Sequence, residues 1–197
     1  GMSLFTTNEW MLLLSARFVN VLLGALMAWV VLKAAKLLFP RRYAWMFTAL
    51  VVFLPGNVIL YSYVNCDALA MCSTAIIFYS WVKAYKEGWN WTTCAVSAIG
   101  MGLCFLSYYN AYGFILTTFF FFVGTMLTDQ EKAPKERWKE MIQKGLFILV
   151  IVCVIALWWF IRNAILYGGD FLGRQASSAS AELYARYQYK PSHIKTF

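Results

Sequence analysis

Polar side chains able to do chemistry are few in this sequence, and nearly all flank long apolar runs. Arg17 lies early in the first run, and Asn65 and Asp67 stand just before the third. Tyr108, Tyr109 and Asn110 separate the fourth from the fifth, and Arg162, Asn163, Tyr167 and Asp170 follow the sixth. Arginines hold phosphate through forked, charge-assisted hydrogen bonds. A carboxylate such as Asp67 can bind a divalent cation or accept a bond from a sugar hydroxyl. Aromatic faces suit sugar rings and isoprenoid chains. Together these types describe a polar basin for a long lipid whose head is a phosphate-linked sugar. Mid-run polar residues are neutral: Ser73, Thr74, Ser97, Thr117 and Thr118. The single His193 lies in the tail without a Ser or Cys arrangement, and no phosphate-cradling glycine loop is present, so a soluble-type enzyme site is not indicated.

Each of these residues also has a structural reading. Asn65 or Asp67 can cap the third helix, because a short side-chain oxygen satisfies free N–H groups and an acid suits the positive helix end. Arg162 can snorkel at the end of the sixth run, Asn163 can cap it, and Gly168-Gly169 can turn the chain with positive φ. Tyr and Trp near run ends suit the membrane interface. Arg17 is harder to dismiss, since an Arg at mid-span costs about 2.5–3.5 kcal/mol on insertion scales, and less near an end. Asp67 or a lipid head group is its natural partner.

The elements that must position these groups follow from composition. Of 197 residues, 61% are hydrophobic, 19% aromatic and only 13% charged. Soluble domains carry about 25% charged residues, so one water-soluble core is excluded, as are disorder and a fibrous protein. The five cysteines lack metal or disulfide spacing and read as small buried hydrophobes. The expectation is an all-α, polytopic integral membrane helix bundle. About six transmembrane helices are expected, near residues 11–32, 43–63, 68–82, 91–106, 111–127 and 145–161. Pro55-Gly56 should kink or stop the second, leaving carbonyls that need a partner. Residues 1–173 form the expected bundle, and 174–197 an extracytoplasmic tail or loop with a small-residue stretch at Ala176 to Ala181.

Orientation comes from the loops. Lys33, Lys36, Arg41, Arg42, Lys83, Lys86, Lys132, Lys135, Arg137, Lys139 and Lys144 all fall after runs one, three and five. The loops after runs two and four contain neither Lys nor Arg. This positive-inside alternation makes the basic loops cytoplasmic and places both chain ends outside. It also explains the net charge of +8 without nucleic acid. Asp129 to Lys144, with both signs around Trp138, reads as a short helix on the cytoplasmic membrane surface or as a solvated linker.

Several segments resemble one family. Trp158-Trp159-Phe160-Ile161-Arg162-Asn163 followed by Tyr167-Gly168 is similar to the Trp-x-x-Arg-Asn…Tyr-Gly signature of polytopic bacterial proteins related to the dolichyl-phosphate-mannose protein mannosyltransferases, with the GT-C fold. Ala16-Arg17-Phe18-Val19-Asn20 resembles the start of their second or third span, and Pro55 with Asn65-Cys66-Asp67 resembles their Pro…Asn-x-Asp segment. The resemblance covers roughly residues 10–173. It implies a bacterial cytoplasmic membrane enzyme with an extracytoplasmic active face, moving sugar from a polyprenyl-phosphate donor to an acceptor hydroxyl with inversion.

In that family the general base is a carboxylate in the outer loop after the first span. Asp67 would be the second acid, near the donor phosphate or a divalent metal, and Arg162 would contact phosphate or sugar. Arg17, Asn65, Tyr108, Tyr109, Asn110, Asn163 and Tyr167 complete the expected substrate-binding set. Two departures stand out. The first span and its acidic loop are absent from this sequence, as are the later spans, which suggests a fragment that is inactive alone and needs the rest of its polypeptide or a partner subunit. Tyr108 stands where relatives often have a lysine after Gly102-Leu103, which puts phosphate binding at that turn in doubt. A transporter or flippase segment and a non-catalytic membrane subunit are the alternatives. Ionisable groups at the helix ends rather than the midplane rank transport second.

Overall fold

The computed structural model describes residues 9–107, 109–128 and 133–184, and the regular structure among them is helical. The elements are α1 (Glu9–Leu38), α2 (Arg41–Val52), α3 (Pro55–Ser62), α4 (Asp67–Glu87), α5 (Trp91–Leu106), α6 (Tyr112–Thr128), α7 (Pro134–Leu166) and α8 (Arg174–Tyr184), with a 3₁₀ turn at Tyr109–Ala111. They divide into two compact units, residues 1–155 and 156–197, and α7 contributes to both.

Among the described residues, α1, α4, α6 with its 3₁₀ turn, and α7 are long and apolar enough to cross a membrane. The pair α2 and α3 qualifies as a fifth span, bent by 60°. The fourth expected run coincides with α5, whose 16 residues rise only about 24 Å against a hydrocarbon core of about 30 Å. Length and composition thus support four spans, or five with the bent pair, where the sequence suggested about six. Outward faces are strongly apolar, with Leu50, Phe53 and Val154 each more than 70% exposed. Lipid tails solvate such faces without the penalty that water would impose.

The bend has a local cause. Pro55 has no N–H to give a preceding carbonyl and forces Leu54 into an extended conformation (ψ 128°), so α2 ends and Pro55 starts α3 at its first position. The carbonyl of Val51 is not orphaned, because Asn57 Nδ2 donates to it at 2.7 Å. This answers the need created by the break with a side chain two residues beyond the proline.

Small side chains set the helix pairing. Met27 and Val30 of α1 pack with Cys72 and Ile76 of α4, and Asn20 earlier in α1 reaches the Asn65 carbonyl just before α4, so these two helices run side by side in the same direction. The connection Gly88-Trp89-Asn90 reverses the chain, and Asn90 Oδ1 accepts the Thr93 N–H at 2.8 Å to cap α5. Along α4 and α5, Ala68, Cys72, Ser73, Ser80, Cys94, Ser97 and Ala98 are buried, so the two backbones approach closely. At Gly100 a Cβ would come within 2.9 Å of Ile77 Cγ1 and 3.1 Å of the Ile77 backbone nitrogen. Two indoles then tie in α6: Trp81 Nε1 donates to Thr118 Oγ1 at 3.0 Å, and Trp89 Nε1 to Thr125 Oγ1 at 2.7 Å. Both hydroxyls donate onward to carbonyls one turn back, those of Phe114 and Phe121.

The expected surface helix takes another form. Residues 129–132 lie outside the described residues, but from Pro134 the segment is the first three turns of α7, continuous to Leu166. No breaker interrupts it, Pro134 and Glu136 suit its start, and Glu140 pairs with Lys144 one turn on. Arg137 Nη1 donates to the Leu127 carbonyl at 2.6 Å, covering the end of α6. Residues 174–184, read as part of a tail, are helical as well.

Candidate functional site

The first unit gathers a polar end. Asn65 is its centre: Nδ2 donates to the Leu60 carbonyl at 2.6 Å and the Tyr63 carbonyl at 3.0 Å, while Oδ1 accepts the Ala68 N–H at 2.8 Å. One side chain therefore closes the end of α3 and caps the start of α4. Asn20, buried on α1, donates to the same Tyr63 carbonyl and to the Asn65 carbonyl. In the sequence Asn20 is only the last residue of the Ala16–Asn20 segment, with no role assigned to it. Its signal was an amide three residues beyond Arg17, hence on the same helix face.

Asp67 opens α4, half-buried, in the first turn where an acid suits the helix dipole. It has no hydrogen bond or ion pair among the described residues. Arg17 is exposed, one turn outward from Asn20, again with no ion partner among the described residues. The expected Arg17–Asp67 pair is not formed. The antiparallel packing of α4 and α5 puts Tyr109 and Asn110 at the same end as Asp67, and both are exposed. Tyr108 lies outside the described residues.

At the opposite end stand the basic residues. Lys33 lies over the Trp29 ring at 4.1 Å and Lys36 over Trp45 at 5.5 Å, and Lys83 and Lys86 lie in the last turns of α4. Charged and aromatic groups are combined there as at a membrane interface.

The second unit holds the remaining residues. Arg162 is exposed, with its guanidinium over the Trp159 ring at 5.1 Å and Nη1 3.4 Å from Asn163 Oδ1. Asn163 is buried and its Nδ2 donates to the Phe171 carbonyl at 3.4 Å, tying the end of α7 to the returning chain. Tyr167 is exposed. Gly168 and Gly169 have φ of +61° and +101°, and the Gly169 N–H reaches the Ala164 carbonyl at 2.8 Å. This is the 6→1 bond of a Schellman motif, which glycine permits without strain. Asp170 accepts the N–H groups of Arg174 at 3.1 Å and Gln175 at 2.7 Å, capping α8. The exit signature thus combines one exposed cation with residues that build a turn.

Among the described residues, no three His, Cys, Asp or Glu side chains come together to hold a metal ion. Asp67 offers a single carboxylate, so a divalent ion there would need ligands from the substrate and water.

Long apolar helices with outward apolar faces, one of them broken, and a polar end opposite a basic one define an integral membrane helix bundle. Residues 1–160 match the model of the dolichyl-phosphate-mannose-protein mannosyltransferases, and the chain belongs to this family of GT-C-type membrane glycosyltransferases. The match ends two residues before Arg162. No curated protein sequence and no solved structure matches the chain.

Proposed function

We propose that this chain is the membrane-embedded central part of a glycosyltransferase. It would move a sugar from a polyprenyl-phosphate-linked donor to an extracytoplasmic acceptor, in a bacterial cytoplasmic membrane. The family match over residues 1–160 carries this reading. The bundle supports it by holding Arg17, Asp67, Tyr109 and Asn110 at the end away from the basic helix termini. With α5 and the bent pair taken as spans beside the four long helices, and the basic end cytoplasmic, that polar end faces outside.

In the proposed reaction the acceptor oxygen bonds to the anomeric carbon as the bond to phosphate oxygen breaks. Polyprenyl phosphate leaves with the bonding pair, the carbon inverts, and the hydroxyl proton passes to a carboxylate base expected in an outer loop of the complete protein. Asp67 serves as second acid, accepting a sugar hydroxyl or holding a divalent ion against the donor phosphate. Arg17 and Arg162 contact phosphate or sugar through charge-assisted hydrogen bonds. Asn65 and Asn163, whose amides already bind backbone carbonyls, position their neighbours. Tyr108, Tyr109, Asn110 and Tyr167 line the sugar.

The test is sugar transfer from a polyprenyl-phosphate donor by the complete protein carrying Asp67→Asn or Arg162→Ala. Both variants are expected to insert normally and to lose transfer. Full activity in both overturns the proposal, and donor flux across sealed vesicles without any transfer replaces it with a transport function.

A further inference from the structure

A cavity of about 610 Å³ opens in the first unit between α5, α6 and α7. Its size lies within the range of about 300–1,000 Å³ usual for ligand sites. Phe105, Phe119, Trp138, Ile142, Gly145 and Val152 are among its walls. Its one hydroxyl, Thr118, is already engaged by Trp81 and the Phe114 carbonyl, and apart from the indole N–H of Trp138 the other lining side chains are apolar.

On α7 the lining residues follow one stripe from Trp138 to Val152, about 21 Å at 1.5 Å per residue. That is a long, narrow apolar slot rather than a round pocket. Gly145 leaves it open at mid-length, since a Cβ there would meet only Phe122 Cε1, at 3.7 Å. One turn before Trp138 the same stripe reaches Lys135, with Lys139 four residues on. Both lysines are exposed and have no ion partner among the described residues, and Trp138 between them is 54% exposed. The slot therefore ends in an interfacial aromatic and two exposed lysines at the positive start of a helix. It does so at the basic end of the bundle, away from Asp67.

We propose that this slot seats one acyl chain of an anionic phospholipid from the leaflet at the basic end, with the phosphate held by Lys135 and Lys139. A flexible unbranched chain suits the slot's length and apolar walls, and the head-group charge complements the lysines. This inference goes beyond the proposed reaction and does not depend on it.

The protein is reconstituted in equal phosphatidylglycerol and phosphatidylcholine, extracted into mild detergent, and weighed intact with its retained lipids. One phosphatidylglycerol per chain is expected, in clear excess over phosphatidylcholine. The double variant Lys135→Gln/Lys139→Gln should lower that preference about 10- to 30-fold, the effect of two lysines near an anionic head group. Gly145→Leu, which projects into the slot, should lose the retained lipid while its helical circular dichroism is unchanged. Equal retention of the two lipids by the wild type overturns the proposal, as does an unchanged preference in the lysine variant. Retention of a polyprenyl phosphate or a bound protein in place of the phospholipid does the same.

Discussion

Replacing Asn65 tests whether the polar end is built as described. In Asn65→Ala the Ala68 N–H loses its acceptor and the Leu60 and Tyr63 carbonyls lose a shared donor. Loss of a helix cap costs about 1 kcal/mol, and each donated bond contributes about 0.5–1.5 kcal/mol net. The sum is about 2–4 kcal/mol, or a fall in melting temperature of about 4–16 °C for a chain of this size. Asn65→Asp separates the parts. It keeps the cap oxygen but points the second carboxylate oxygen at two carbonyl oxygens, at sites now 2.6 and 3.0 Å from Nδ2. Two attractive contacts become repulsive, so the aspartate should be no more stable than the alanine. The assay is thermal unfolding in detergent followed by thiol labelling. With the exposed Cys66 and half-buried Cys153 changed to Ser, the buried Cys72, Cys94 and Cys104 report unfolding. Wild-type stability in Asn65→Asp would refute the orientation of the amide and with it the junction of α1, α3 and α4.

Two further outcomes concern packing and capping. Gly100→Ala places a methyl group 2.9 Å from Ile77 Cγ1 and should destabilise the α4–α5 pair by about 1–3 kcal/mol, read by the same labelling assay; an unchanged midpoint would mean the helices are not so close. Asp170→Ala frees the N–H groups of Arg174 and Gln175 and should cost α8 about 1 kcal/mol. Faster amide hydrogen exchange at those two residues, with none at Cys72, is the expected signature.

Much of this architecture follows from local pattern. Apolar run length marks the helices, and the run from Trp91 to Leu106 coincides with α5 because Asn90 caps one end and polar residues begin at the other. Pro55 forces its break through the missing N–H, whatever surrounds it. The alternation of basic loops is likewise a property of the chain read in order. The family was legible too, since its motifs are short and sequential.

Other features needed contacts between distant residues. That α1 lies beside α4 and parallel to it depends on which small faces meet, and a run in which nearly every residue is apolar has no periodicity to name that face. Asn20 gains its meaning only from carbonyls 43 and 45 residues away. The first turns of α7 were polar enough to read as a separate surface helix, but helix continuity depends on backbone hydrogen bonds and not on hydropathy. For the site, the sequence determined which residue types flank the membrane. Tertiary structure alone decided that Asn65 is held by backbone groups while Asp67 and Arg17 remain unpaired among the described residues. The physical reason is that a side chain's partners are set by three-dimensional proximity, which a one-dimensional pattern does not encode.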